Sequence, residues 1–412
     1  MDNEKITLLY ADENGEIFDA PGIAAMGRSG SKNILLKKHD LIPLPESADL
    51  MYLPDRMPLG QSGGETMPIS GQAVAALLPV GYTRLYLPAF RKEHDAQPLP
   101  LYGYTAVALY KNNIYAAAVY TDKNDKWDPV RYNTADLPEL INKVKQSLPH
   151  NRLVDHLADC SLQWHCCTAQ NLFYHRWEAG IPVSPICNAA CLGCISLQAA
   201  ECCPSPQSRI KFYPTPDEIS QIGIYHLSTA PDAIISFGQG CEGEPSLAVD
   251  TIVPAMHIIR NKTFNGQINI NSNAGFTDGI ARLTDAGLNS MRVSIISAVP
   301  SNYQAYYRSN YHLKDVMASI NYARKKGVYV SLNMLYFPGF NDSKNEAAAW
   351  RAFLRQCPVD MIQVRNLNID PDSFTTAMPD FEPALGTKMF FGGLKGEFSS
   401  IQIGSFSHYR IQ

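Results

Sequence analysis

From residue 181 onward the chain alternates between two periodicities. Strand-like runs at 181–186, 233–237, 267–270, 290–296, 328–335 and 361–367 are separated by helical patterns at 216–228, 246–260, 277–286, 313–326 and 343–356. A strand that returns parallel to its predecessor needs a crossover, and such crossovers are right-handed almost without exception. The order therefore predicts an α/β fold over residues 181–375, a partial (β/α)6 barrel open on one side. The remaining residues 376–412, strand-like at 398–403, are expected to pack on that opening.

The preceding residues follow other rules. In 1–130, Asn14-Gly15 and Lys111-Asn112-Asn113 each sit between strand-like runs and read as hairpin turns. Nine prolines between Pro43 and Pro100 exclude long helices there. This predicts a β-rich N-terminal module, without a recognisable catalytic motif. Residues 131–180 read as a helical connector: Thr134 is an N-cap, and Leu137, Leu140, Ile141, Val144 and Leu148 recur at helical spacing. A second helix is expected from about Arg152 to Glu178, ended by Gly180-Ile181-Pro182.

Charge and apolar runs narrow the function. With 35 basic against 39 acidic residues, the chain has no general attraction for a polyanion, which disfavours nucleic acid as a partner. No apolar run approaches the roughly 18 residues of a membrane span, and the start lacks the basic and apolar blocks of a signal peptide. The reading is a cytoplasmic protein without a membrane partner. Ten cysteines, none before Cys160, are too few for a disulfide scaffold of this size. In a reducing compartment they point to metal or redox chemistry.

Cys187, Cys191 and Cys194 form a C-x3-C-x2-C run directly after the first strand of the alternating region, where a βα loop emerges at the functional end of a barrel. Three thiolates suit a soft metal. A closed zinc site needs four ligands, and no second cysteine pair follows at finger-like spacing. Three cysteines on one loop can hold three corners of a four-iron cluster and leave the fourth iron open. Buried cysteines, or zinc with a distant fourth ligand, remain the competing readings.

Here the sequence resembles the radical S-adenosylmethionine (radical SAM) superfamily, and further runs agree in chain order over about 181–370. Gly240-Cys241-Glu242-Gly243-Glu244-Pro245 resembles that family's Gly-Gly-Glu-Pro motif, with Glu242 in place of the first glycine. The segment 269–275 resembles its Thr-Asn-Gly strand end, and 335–342 its Pro-Gly-x-Asn-Asp turn. The resemblance implies a 4Fe-4S cluster on Cys187, Cys191 and Cys194, with S-adenosyl-L-methionine on its open iron. Gly243, Glu244, Asn271, Asn273, Ser294 and Ser297 are the implied cofactor-binding residues. A carboxylate such as Glu244 can accept from the cofactor ammonium. Gly193 departs from the family, where an aromatic residue often precedes the third cysteine. The implied activity is reductive cleavage of the cofactor to a 5′-deoxyadenosyl radical, fed by a low-potential donor such as flavodoxin or ferredoxin. Hydrogen abstraction from an unidentified substrate, a peptide, protein or bulky metabolite, follows. A tRNA-base-modifying enzyme and a non-catalytic zinc-binding interaction protein are the alternatives.

The substrate is expected at the end of the last strand, at Arg365, Asn366, Asn368 and Asp370. Cys160 and Cys167, about 10 Å apart along one expected helix, read with Trp164 as a buried stripe. Cys241 reads as a small residue in a tight turn, or as a thiol beside the cofactor. An auxiliary cluster would draw on Cys166, Cys202, Cys203 and Cys357.

Overall fold

The computed structural model describes residues 5–123, 126–198, 205, 207–378 and 383–409. Its centre is a seven-stranded sheet in strict chain order: Glu178–Gly180, Ile234–Phe237, Gln267–Ser272, Ser290–Ile295, Tyr329–Tyr336, Met361–Asn366 and Gln402–Gly404. Every neighbouring pair is parallel. With no reversal of order, right-handed crossovers place the helices on one face and curl the sheet into a partial barrel. Ile235, Ile268, Ile270, Val293, Val330 and Leu332 are fully buried, as expected of strands covered on both faces.

The helices form where caps allow. Thr215 and Glu218 make a reciprocal capping box with Pro216 in the first turn, starting the helix Pro216–Thr229. Ser343 caps Lys344–Gln356 by accepting from the Glu346 amide.

Three expectations are corrected. The first strand is Glu178–Gly180, not 181–186: Ile181 makes a last ladder bond to Ser236, 2.9 Å, and Pro182 has no N–H to continue it. The tail segment Gln402–Gly404 does not merely pack on the opening but pairs with Met361–Gln363 as a seventh strand. The helix expected over 152–178 is two helices, Arg152–Gln163 and Cys167–Phe173, broken where His165 takes a φ of 50°. Cys160 and Cys167 therefore lie on different helices, and Trp164 is 40% exposed rather than part of a buried stripe.

Thirteen described strands between Thr7 and Tyr120 form an antiparallel sheet that includes both expected hairpins. At the second turn Lys111 and Asn112 both take positive φ, which the twist of a two-residue hairpin favours. This sheet docks on the carboxyl ends of the barrel strands. Fully buried Arg84 donates to the carbonyls of Tyr336, 3.3 Å, and Leu367, 2.8 Å, while burial lowers its pKa to about 9. Arg56 pairs with Asp370 at 3.3 Å, both buried.

His226, on the helix Pro216–Thr229, donates from Nε2 to the Trp177 carbonyl at 3.1 Å and is fully buried. Burial lowers its pKa to about 4 from 6.5. The folded state then binds fewer protons than the unfolded chain between those values, so stability is complete above pH 6.5 and falls as pH drops through 4. The loss should approach about 3 kcal/mol. Urea midpoints across this range should fall less steeply in His226→Gln; identical slopes would exclude the assignment.

Candidate functional site

The carboxyl ends of the barrel strands and the docked β-rich module enclose a cavity of about 640 Å³. Cys187, Cys191 and Cys194 line it together with Gly243, Glu244, Asn271, Asn273, Ser294, Arg365, Asn366 and Asn368. Ser297 and Asp370 are not brought there. Ser297 donates to Glu346, and Asp370 caps the helix Pro371–Ala377 while accepting from Leu99, 2.7 Å, and Arg56. Their expected ligand roles give way to these buried bonds.

The cysteine loop is held by main chain. Gly243 donates to the Ser184 carbonyl at 2.7 Å and Glu244 to that of Ile186 at 2.8 Å, so the glycine-rich turn runs beside the loop. A Cβ at Gly243 would stand 1.9 Å from the Ile186 oxygen, which explains glycine at this place. On the other side, Ala190 and Leu192 donate to the carbonyls of Tyr307, 2.9 Å, and Tyr306, 3.1 Å. These tyrosines end the helix Pro300–Tyr307, which the sequence pattern did not reveal. A Cβ at Gly193 would meet the Tyr306 hydroxyl at 3.0 Å and the Asn368 main-chain oxygen at 3.1 Å, so any side chain there would press on both.

The two glutamates of the turn do different work. Glu242, fully enclosed, accepts from the amides of Val183, 2.8 Å, Ser184, 3.1 Å, Gly238, 2.6 Å, and Gln239, 2.9 Å. Burial pushes its pKa up to about 7 against those four donors. It closes the turn at the place where the motif it resembles most often has its first glycine. Glu244 accepts from Ser246 N, 3.0 Å, Ser272 Oγ, 2.6 Å, and Asn273 N, 2.8 Å, and burial raises its pKa. Asn273 in turn donates to Asn188 of the cysteine loop at 2.6 Å, and Asn271 accepts from Asn269 at 3.0 Å.

The donor set fits a thiolate-ligated centre. Burial, with Glu244 nearby, pushes the Cys187 thiol up to about 11, and burial raises Cys191 as well, so a cation is needed to hold thiolates here. Arg209 supplies a fixed positive charge, with Nη2 3.6 Å from Cys194 Sγ. Nothing in the spacing pointed to Arg209, which lies 15 residues beyond Cys194 and folds back onto it. Among the described residues, His156, Cys160 and Cys241 are the one set of three His, Cys, Asp or Glu whose ligand atoms all lie within 4.8 Å of one another. The loop thiols thus do not converge on one point, which suits a centre of several metal atoms better than a single ion.

At the far wall, Arg292 pairs with Glu178 at 3.1 Å. Arg365, beside it, has no hydrogen-bond partner among the described residues, and burial followed by Arg292 lowers its pKa to about 10. Asn366 spends its amide on the β-rich module, accepting from Arg84 N and donating to the Tyr82 carbonyl, both at 3.0 Å. Cys241 does not line the cavity, which removes it as a thiol beside the cofactor. Cys357 ends the helix Lys344–Gln356 and lies against Asn321 and Met317 of the helix Leu313–Lys325. It is therefore no partner for Cys166, and Cys202 and Cys203 lie outside the described residues.

Residues 181–350 match the family model of the radical SAM superfamily. No curated protein matches the chain. Among solved structures, HydG, a maturase of the FeFe-hydrogenase, is 16% identical over 68% of this chain, which spans 64% of that protein (TM-score 0.39). Methylornithine synthase (PylB) is 15% identical, with coverage of 65% and 74% (TM-score 0.39). SuiB of Streptococcus suis bound to S-adenosylmethionine is 10% identical, with coverage of 76% and 72% (TM-score 0.40). Among the described residues, no helix is long and apolar enough to cross a membrane.

Proposed function

We propose that this chain, whose residues 181–350 match the radical SAM superfamily model, is a radical SAM enzyme that takes a hydrogen atom from a small anionic substrate, or from an anionic side chain of a larger one. Cys187, Cys191 and Cys194 would hold the 4Fe-4S cluster, and Glu244, Gly243, Asn271, Asn273 and Ser294 would hold S-adenosylmethionine. Together these groups, once reduced by one electron from a low-potential donor, supply a carbon-centred radical that abstracts hydrogen. The chain contributes orientation and exclusion of water.

The observation that carries the reading is one cavity shared by the three thiols, Glu244 and Arg365. Its 640 Å³ lies in the range for one drug-sized ligand, so with the cofactor inside, only a small substrate group fits. Arg292 is neutralised by Glu178, whereas the Arg365 fork is free to meet a carboxylate or phosphate. Full-length chain, reconstituted anaerobically with iron and sulfide and reduced with dithionite, should be brown and form 5′-deoxyadenosine. A colourless protein carrying zinc on the loop cysteines would overturn the proposal.

Arg365→Ala separates substrate from cofactor. It should leave the cluster and uncoupled cofactor cleavage nearly unchanged. It should abolish the stimulation of 5′-deoxyadenosine formation by a small-molecule cell extract. Loss of uncoupled cleavage instead would move Arg365 to the cofactor.

A further inference from the structure

Outside the cavity lining, two neighbouring groups of the connector meet a third from the glycine-rich turn, far from them in sequence. His156 and Cys160 lie one turn apart on the helix Arg152–Gln163, where side chains at i and i+4 share a face. Cys241 approaches them from the turn itself. All three ligand atoms lie within 4.8 Å of one another.

We propose that His156, Cys160 and Cys241 bind a single thiophilic divalent ion of the zinc type, separate from the cysteine-loop centre. The distances support it. A tetrahedral zinc with about 2.3 Å to sulfur and about 2.05 Å to nitrogen has a sulfur–nitrogen edge of about 3.6 Å. His156 Nε2 stands 3.6 Å from Cys160 Sγ. Two thiols and an imidazole converging on one point form a donor set for one soft ion. Cys160 and Cys241 are 2% and 3% exposed, while His156 is half-buried and leaves a route of entry. The next helix is tied to the same place by main chain, the Cys166 amide donating to the Cys160 carbonyl at 3.1 Å.

Such an ion would fasten the connector helix to the turn that carries Glu242 and Glu244. Cys241 accounts for this placement: its neighbours Gly240 and Glu242 line the cavity, and it does not.

The test removes the other centre first. Full-length chain with Cys187, Cys191 and Cys194 all changed to Ala is titrated with Co2+, followed by absorbance and by metal analysis. The expected result is one ion per chain, with the d–d bands of a tetrahedral site and a sulfur-to-cobalt band, both displaced by Zn2+. Adding Cys160→Ser or Cys241→Ser should abolish the bands. His156→Ala, at a half-buried position, should do the same and keeps the test decisive if a thiol variant fails to fold. Absence of bound ion, a Cys160–Cys241 disulfide in its place, or bands unchanged in His156→Ala would overturn the proposal. Because the loop cysteines are absent from this background, the outcome does not depend on the four-iron reading.

Discussion

A chain in which Cys187, Cys191 and Cys194 are all alanine should bind no four-iron cluster and form no 5′-deoxyadenosine, yet remain folded. Each single variant should lose cleavage as well, since one missing corner leaves an iron without its protein ligand. Folding should survive because the loop does not depend on its sulfurs for shape. Its backbone is held by the bonds of Gly243 and Glu244 on one side and of Ala190 and Leu192 on the other. Iron and sulfide content, product chromatography and circular dichroism read the three parts separately. A triple variant that still carries four irons and cleaves the cofactor would show that other residues hold the cluster.

Glu244→Gln should weaken S-adenosylmethionine binding about ten- to a hundredfold, the equivalent of a buried charge-assisted hydrogen bond of roughly 1.5–3 kcal/mol. Iron content should not change. The structure adds a second expected effect. Glu244 already accepts from Ser246, Ser272 and Asn273. An amide nitrogen turned toward either backbone donor leaves that donor unsatisfied, at a cost of about 1–3 kcal/mol in stability. Titration calorimetry on the reconstituted protein reads the first effect and thermal unfolding the second. Unchanged affinity with lowered stability would make Glu244 a purely positioning residue for the loop that carries Asn273.

The two glutamates of that turn show how far a motif reaches. Sequence alone places both acids beside Gly243 in a turn after a strand, where either could meet a ligand. Four amides around Glu242 spend it on closing the turn. Those amides come from residues 183–184 and 238–239, and only the folded chain brings the two segments to one carboxylate. Ser297 and Asp370 diverge for the same reason. Their chemistry suits a ligand, but Glu346 and Arg56 reach them first.

Local patterns sufficed wherever the determining interactions are local. The alternation of apolar runs and caps specified the parallel sheet, because burial of both strand faces and capping depend on near neighbours. The C-x3-C-x2-C spacing likewise placed three thiols on one loop. What the sequence could not show was every long-range meeting. Arg209 folds back to Cys194, Tyr306 fills the space beside Gly193, and Arg84 plugs the module onto the barrel. His156 and Cys160 meet Cys241, 81 positions beyond Cys160 in the chain. Side-chain periodicity records which face of an element is buried, not which distant group it is buried against. That choice is made by packing the elements together, and the tertiary structure alone decides it.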